Sequence, residues 1–488
     1  MADPVRKKKK KRKKKLRTAP WSQTKRALLI LFFLTIIAAV MPVWRVVRAQ
    51  GKEAASPGKV TADPVSPAVS ADSAGAASVP EKADTGTESV PLSTENAEEQ
   101  KETAQTPAEP VQYTVPVPLV TLPSAEENPS AWYEYGAGAQ DKDSITILGC
   151  GDNLMHSQLY ENAFNGETYD FSPYYENVRA FVGSADLATI NQETPMATDL
   201  YEPSTYPSFN TPKQIGDAIL STGFDVINLG NNHIYDKGTA GALATLEYFA
   251  ERDIPTVGIY TSMEDAGDIR VVEKNGIRVA FVSFVEFTNV DADEEGTDII
   301  WLADTEGMKD QIHAARQAAD IVVAHVHWGI EGTTELTELQ TSMAQFMVDE
   351  GVDIVFGNHP HWLQELTVLT RGSDGTRCPV IYSMGNFLSG MDRREELITG
   401  FLTVEVSRDA NGKVIPVKMG FLPLVIHFSN LEKTDLRIYP LCRYSEEMAA
   451  ANAVNVIRDD DTFDLDLIQN VVDTSIPKEY QNQMVSIY

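Results

Sequence analysis

The stretch "GFDVINLGNNHIYDKG", Gly223 to Gly238, is a short apolar run that ends in Asn231, Asn232 and His233, with Asp236 three residues further on. Aligning the chain against itself shows that the stretch is one copy of a recurring unit. "SADLATINQE" (184–193), "AADIVVAHVHW" (318–328) and "GVDIVFGNHPH" (351–361) share its form: a small residue, any residue, Asp, four or five apolar residues, then a polar cluster. Each copy reads as the end of a helix followed by a strand. A fifth strand, "SITILGCGD", ends in Asp152. The polar residues fall at similar offsets from the shared Asp: Asn191 and Glu193; Asn231, Asn232 and His233; His325 and His327; His359 and His361. In open α/β sheets ligands bind beyond the carboxyl ends of the strands, so five strands delivering such groups to one edge make a site. Five of the eight histidines sit in these clusters. The other three, His156, His313 and His427, lack such company and read as structural.

Outward from the unit, apolar runs of strand length alternate with amphipathic segments of helix length from Ser144 onward, the pattern of an α/β domain. "TPKQIGDAILSTG" carries helix punctuation, with Thr211 as N-cap, Pro212 at the first helical position and Gly223 just past the end. Helices are expected near 237–250, 305–319 and 335–350. "VVEKNGIRVAFVSF" and "LTVEVSRDANGKVIPVKMGF" place Asn-Gly between alternating apolar runs and read as β-hairpins. The α/β domain is expected over 144–445, and 446–488 as a helix and an acidic tail.

The N-terminal part has a different character. Of the 488 residues, the first 26 hold thirteen Lys or Arg against one Asp, although the whole chain is at −29. Directly after this basic block comes "ALLILFFLTIIAAVMPVW", Ala27 to Trp44, without a charge. At 1.5 Å per residue it reaches about 27 Å as a helix, close to the hydrocarbon thickness. Residues 27–47 therefore read as an uncleaved transmembrane signal-anchor; "VVRAQ" is a poor small-x-small cleavage site for the alternative, a signal peptide. The positive-inside rule puts the tail 1–26 in the cytoplasm and the remainder outside the cell, which disfavours nucleic acid as the partner of the lysines. Residues 48–143 are Ala, Ser, Pro and Glu-rich, too poor in apolar residues to offset their ordering entropy, and read as a disordered linker. Cys150, Cys378 and Cys442 leave room for one disulfide and exclude a disulfide framework.

His, carboxylate and Asn carbonyl groups together suit divalent metals of intermediate hardness, such as Mn, Fe or Zn. On a strand, His-x-His points both rings to one side, which applies to His325/His327, to His359/His361 and, by spacing, to Asn191/Glu193. Five to seven candidate ligands exceed what one tetrahedral ion takes. Two ions sharing a carboxylate fit the number best, and one ion with surrounding partners is the alternative.

In this order, "GCGDNLM", "INQET", "INLGNNHIYDKG", "HWGIE", "GNHPHWLQ" and "YSMGNFL" resemble the bacterial capsule synthesis protein CapA family, whose members serve poly-γ-glutamate production. The resemblance covers about residues 144–427. Members of that family resemble calcineurin-like metallophosphoesterases, which implies a four-layer α/β/β/α sandwich with a metal site at the strand ends. By this likeness Asn232 is a metal ligand and His233 a general acid, and His359 and His361 are ligands. The phosphoesterase Asp-x-His motif is broken here, since Asp152 is followed by Asn153 and Leu154, and Glu193 stands in for the bridging carboxylate. The implied centre is Asp152, Glu193, Asn232, His327, His359 and His361, holding one or two ions. They would activate a water while His233, oriented by Asp236, protonates the leaving group. His325 is the alternative to His327; "HWG" favours the latter. Asn386 and Glu331 are expected around the ligands rather than among them. Arg393 and Arg394 read as a solvated face, with contact to an anionic substrate as the sharper alternative. The functions in competition are an extracellular hydrolase of a phosphoester or of the anionic γ-glutamyl polymer, a non-catalytic subunit assisting a membrane-bound polyglutamate synthase or exporter, and a binding module with a structural metal.

Overall fold

The computed structural model describes residues 143–458 and 462–488. The expected tail 1–26, span 27–47 and nearly all of the linker 48–143 lie outside them. Among the described residues no helix is long and apolar enough to cross a membrane.

Fifteen strands are present among the described residues: β1 (Ser144–Leu154), β2 (Leu187–Gln192), β3 (Val226–Asn228), β4 (Thr256–Val257), β5 (Arg270–Lys274), β6 (Ile277–Val285), β7 (Ile321–His327) and β8 (Ile354–Asn358). They continue with β9 (Leu366–Thr370), β10 (Arg377–Ile381), β11 (Asn386–Ser389), β12 (Ile398–Arg408), β13 (Val414–His427), β14 (Arg437–Pro440) and β15 (Val485–Ser486). They form two mixed sheets. The larger runs β14-β13-β12-β1-β2-β3-β4, with β11 also on β1 and β15 on β13; the smaller runs β5-β6-β7-β8-β10-β9. The recurring units are thus divided, β2 and β3 parallel beside β1 in one sheet and β7 and β8 parallel in the other.

Period-two alternation explains how the sheets stack. Along β7, Ile321 and Val323 belong to the core shared with Ile147, Ile190 and Ile227 of the larger sheet. Val322, Ala324 and Val326 face the opposite way and pack with Met308, Ile312, Ala344 and Met347 of the helices Thr305–Ala318 and Glu338–Glu350. His325 and His327 continue the inner row, so the strand carries both histidines between the sheets before it ends. The helices Gln214–Thr222 and Gly238–Ala250 bury Ile215, Ile219, Ala242 and Phe249 in the larger core.

The Asp shared by the four units has one structural role. Each accepts the backbone N–H at the start of the neighbouring parallel strand: Asp186 from Thr146 (2.8 Å), Asp225 from Ala188 (2.9 Å), Asp320 from Arg278 (3.0 Å) and Asp353 from Val322 (2.9 Å). The carboxylate satisfies a donor that the ladder leaves over, and so fixes the register of two strands at their beginnings.

Two local expectations are corrected. The helix over "TPKQIGDAILSTG" begins at Gln214 with Lys213 as N-cap, while Thr211 turns its hydroxyl to that of Thr194 at 2.6 Å; Gly223 does end it, at φ 113°. The segment 446–488 is more than a helix and an acidic tail. Its helices Glu446–Ala451 and Leu465–Ser475 and strand β15 return to the domain, burying Val454, Phe463, Ile468, Val472 and Ile476 in the main core. Cys150, Cys378 and Cys442 are all free thiols. Both Asn-Gly hairpins form, β5–β6 through Asn275 (φ 50°) and Gly276 (φ 70°), and β12–β13.

Candidate metal centre

The carboxyl ends of β1, β2, β7 and β8, and the loop after β3, converge between the two sheets. Asp152 owes its position to a close backbone approach. β11 enters beside β1 where a Cβ on Gly151 would lie 1.9 Å from the Gly385 carbonyl oxygen, and the Asp152 N–H donates to that oxygen at 2.9 Å. Only glycine permits this, which is why "GCGD" and "SMGNF" meet. The Asp152 carboxylate then accepts from Asn191 (2.8 Å), Asn358 (2.8 Å) and the His359 N–H (3.3 Å), and lies 3.1 Å from His361 Nδ1.

Around it stand Glu193, His327, His359 and His361, all buried. His327 Nε2 is 3.6 Å from Glu193 Oε1, and His361 Nε2 is 3.9 Å from the same oxygen. Asn232 Oδ1 is 3.0 Å from His327 Nε2. The donors form overlapping sets, Glu193 with His327 and His359, and Asp152 with Glu193 and His361, each with ligand atoms within 4.8 Å of one another. Groups about 2.1 Å from one ion stand roughly 3 to 4 Å apart, which is this spacing. Two further features fit a cation. Both Glu193 oxygens are buried without a hydrogen-bond partner among the described residues, as are His327 Nδ1 and His359 Nδ1. An unpaired buried carboxylate is costly in a protein interior, and a divalent ion removes that cost. The buried His, Glu and Asp cluster is therefore compatible with a divalent metal.

Electrostatics agree. Burial and the nearby Asp152 push the Glu193 carboxyl well above its ordinary range. Burial and the charge on His361 drive His359 down to about 3, and burial with the three neighbouring imidazoles lowers His327 well below 6.5. These rings are neutral, the form that ligates metals. Burial alone would lower His361 too, but Glu193 and Asp152 outweigh it and hold it at about 10. Burial likewise opposes ionisation of Asp152, yet His361, Asn191 and the His359 N–H keep it below 3.8. In the metal-free protein the protonated His361 supplies positive charge beside the two carboxyl groups.

The expected roles of His233 and Asp236 have a matching geometry. His233 Nδ1 lies 2.8 Å from Asp236 Oδ2, which also accepts the Phe209 N–H at 2.7 Å. The Phe209 ring stands edge-on to the imidazole, centroids 4.8 Å apart, and fixes its rotation. With Nδ1 committed to Asp236, Nε2 is the nitrogen left for a substrate.

The remaining expectations divide. His325 stays out of the cluster: its Nε2 meets Thr189 Oγ1 of the facing sheet at 2.8 Å, and burial lowers it to about 4. His359 and His361 do not share a strand. β8 ends at Asn358, and the two residues converge because both take left-handed backbone, φ 98° and 60°. Such conformations cost roughly 1–3 kcal/mol each in a residue with a side chain, and they accumulate at functional sites. Asn231 donates to the Gln192 and Leu229 carbonyls and accepts from the His233 N–H, holding the loop that presents Asn232. Asn386 pairs with Asp152 across β1 and β11 and donates to Met391 Sδ and the Glu396 carbonyl, around the ligands as expected. Glu331 comes closer than expected, its carboxylate within 4.8 Å of ligand atoms on His359 and His361. His313 pairs with Glu350 at the surface, and His427 with Tyr444. His156 lies beside the site, edge-on to Phe209 and accepting the Gly390 N–H.

Several contributors escaped the sequence reading. Ser283 donates to Asn228, and Asn228 to the already expected Asn191, which donates to Asp152, a relay of buried polar groups across both sheets. Asn358 joins its end. The available signal was an Asn closing each of β3 and β8, since such a group buried at a strand end requires partners. Asn289, whose N–H donates to the Asn232 carbonyl and whose amide lies 3.4 Å from the His233 ring nitrogens, had no signal.

Comparison with known proteins bears on this span. The pattern of the family described as "Bacterial capsule synthesis protein PGA_cap" matches residues 146–391. The capsule biosynthesis protein CapA of Bacillus anthracis is 28% identical over 261 residues, 51% of this chain and 61% of that protein. The PGA biosynthesis protein CapA of Bacillus subtilis (strain 168) is 34% identical over 180 residues, 36% of this chain and 46% of that protein. The chain thus spans about half the length of these relatives. Of solved structures, a 5'-nucleotidase from Candida albicans covers 67% of this chain and 58% of its own, at 14% identity and a TM-score of 0.33, too slight a likeness to carry an argument. The matched family span takes in half of the chain and every residue of the buried cluster, and the chain belongs to the bacterial capsule synthesis protein family, the CapA family.

Proposed function

We propose that this chain is a metal-dependent hydrolase of the CapA family, anchored in the membrane by residues 27–47 with the domain outside the cell, acting on a phosphoester or on the γ-glutamyl polymer during poly-γ-glutamate capsule formation. The observation that carries the reading is Glu193: a fully buried carboxyl whose two oxygens accept no hydrogen bond among the described residues, set between the neutral His327 and His359 and the cationic His361. The reading takes the two stacked sheets as a metallophosphoesterase-like four-layer sandwich. Asp152, Glu193, Asn232, His327, His359 and His361 would hold one or two divalent ions, with Mn, Fe and Zn all suited to the donor set. A divalent ion in such a site supplies Lewis acidity.

The chain's own groups supply the proton chemistry. His233 carries a proton on Nε2 and delivers it to the leaving oxygen or nitrogen, while Asp236, accepting from Nδ1, stabilises the imidazolium and selects the nitrogen that reacts. Asn289 and Phe209 restrict the ring on its other sides. Asn191 and Asn358 hold Asp152 as an acceptor-only carboxylate turned toward the histidines.

A second reading, an accessory subunit of a membrane-bound polyglutamate synthase or exporter, is favoured by one observation. Leu154 stands where the phosphoesterase motif has His, and it is buried. The separating experiment measures bound metal and turnover of aryl phosphomonoesters, phosphodiesters and γ-glutamyl anilides by the full-length protein, His359→Ala and His233→Ala. The hydrolase reading expects metal in the wild type and His233→Ala but not in His359→Ala, and turnover in the wild type alone. Bound metal with no turnover, together with normal polymer export by His233→Ala cells, supports the accessory reading instead.

A further inference from the structure

A cavity of about 290 Å³ adjoins the cluster, lined by His361 and Glu331, by the loop Gly390–Arg393 and by Glu396. The loop is held from every side. The Gly390 N–H donates to His156 (3.2 Å), the buried Lys433 donates to the Gly390 and Met391 carbonyls, and the Met391 N–H donates to Ser389 (3.1 Å). Arg458 donates to the Asp392 carboxylate (2.8 Å), and the Arg393 N–H to Glu396 (2.9 Å).

The Arg393 side chain is the exception. It is 59% exposed, its Nε is 3.8 Å from Glu396, and its guanidinium makes no hydrogen bond among the described residues. It lies against Gly332, where a Cβ would come within 3.0 Å of Nη1, so it stands beside the residue that follows Glu331. Its one ionic partner among the described residues is Glu396, on the Nε side, which leaves the two terminal nitrogens for a ligand; the Glu331 carboxylate lies within 4.8 Å of ligand atoms on His359 and His361 instead. Arg458, the other cation of the cavity, is tied to Asp392. A rigidly mounted guanidinium with an open planar fork is suited to a two-oxygen anion. In a chain of net charge −29, an anion needs such a local attraction to approach.

We infer that this cavity is an anion subsite in which Arg393 receives a carboxylate or phosphate group of the substrate, next to the bond that reacts at the cluster. The inference rests on the hydrolase reading for the identity of the occupant as a substrate. Arg393 is a positioning residue, so its loss acts on KM and not on kcat.

The test uses full-length metal-loaded protein, Arg393→Gln and Arg393→Lys. The substrates are a γ-glutamyl anilide with a free α-carboxylate, its α-amide, and an aryl phosphodiester. For the anionic substrate that uses the subsite, Arg393→Gln raises KM about 10–100-fold with little change in kcat, as expected for loss of a charge-assisted pair, and Arg393→Lys restores part of it. Metal content and Tm stay unchanged. An effect on the anilide but not its α-amide assigns the subsite to carboxylate; an effect on the phosphodiester alone assigns it to phosphate. Unchanged KM for every anionic substrate overturns the inference while leaving hydrolysis intact. If no substrate turns over, the hydrolase reading fails, and calorimetry with inorganic phosphate and a γ-glutamyl dipeptide decides the subsite separately. Binding weakened at least about tenfold by Arg393→Gln supports it, and equal affinities overturn it.

Discussion

Strand β8 begins and ends on buried polar groups, and the two ends are treated in opposite ways. At its start the Asp353 carboxylate accepts from Val322 N–H (2.9 Å), Arg316 (2.6 Å) and Arg371 (2.7 Å), so that a buried charge is fully paired. At its end, His359 and His361 sit in left-handed backbone beside Glu193, whose oxygens have no donor. The same division recurs in the other units, where the Asp closes a register and the polar residues at the far end converge on the cluster. The starts of the strands are built for stability. Their ends hold strain and polar atoms without hydrogen-bond partners, which a fold keeps where something else is to be bound.

Breaking the paired end has the largest expected effect. Asp353→Ala strands Arg371 and Arg316 and is expected to lower stability by about 3–5 kcal/mol in denaturant unfolding, while the folded fraction retains its metal. Loss of metal without loss of stability would place Asp353 in the functional half of the strand instead.

The second effect is the pH response of the unpaired end. His359 at about 3 and His325 and His156 at about 4 lie below their unfolded values near 6.5, so the unfolded chain binds more protons at low pH. Stability of the metal-free protein therefore rises as pH climbs from about 3 to 6.5. His361, held at about 10, has the reverse sign: the native state binds the extra proton, and stability falls as pH passes from 6.5 through 10; the raised Glu193 carboxyl acts in the same sense, from its ordinary value near 4.5 upward, and so offsets part of the histidines' rise. A cation displaces the His361 proton, so its affinity should rise by up to about tenfold per pH unit between 7 and 9. Unfolding series with and without metal, and calorimetry in buffers of different ionisation enthalpy, read both. Proton release absent from the calorimetry would remove His361 from the ligand set.

The smallest effect is the most diagnostic. Glu193→Gln should abolish metal binding yet stabilise the metal-free protein, by on the order of 1 kcal/mol, because it removes a buried carboxyl whose oxygens accept no hydrogen bond among the described residues. A loss of similar size would show that Glu193 belongs with Asp353 as a structural carboxylate.

How far the sequence could be read follows the same line. Ile321, Val323, His325 and His327 all fall on one face of β7, so alternation identified the face but not the depth. Only the facing sheet, with Thr189 of β2 opposite His325 and Asn232 of the loop after β3 opposite His327, assigns one ring to the core and the other to the cluster. For His359 and His361 strand alternation gave the right neighbours for the wrong reason, since no local pattern signals two left-handed histidines. Arg393 was legible as a charge in "MDRREE" but not as an open one, because its neighbours' bonds depend on residues up to sixty-six positions away, as with Arg458 to Asp392.

What the sequence by itself determined was the unit and its chemistry: period-two runs between a small-x-Asp start and a polar end, which specify strands, a shared edge and a metal-suited donor set through local geometry alone. The tertiary structure decided what depends on separate segments meeting: the division of the units between two sheets, the return of residues 446–488 to the core, the relay from Ser283 to Asp152, and the lack of any donor for Glu193. These are properties of packing, and a side chain's partners are set by whichever distant strand the fold places against it.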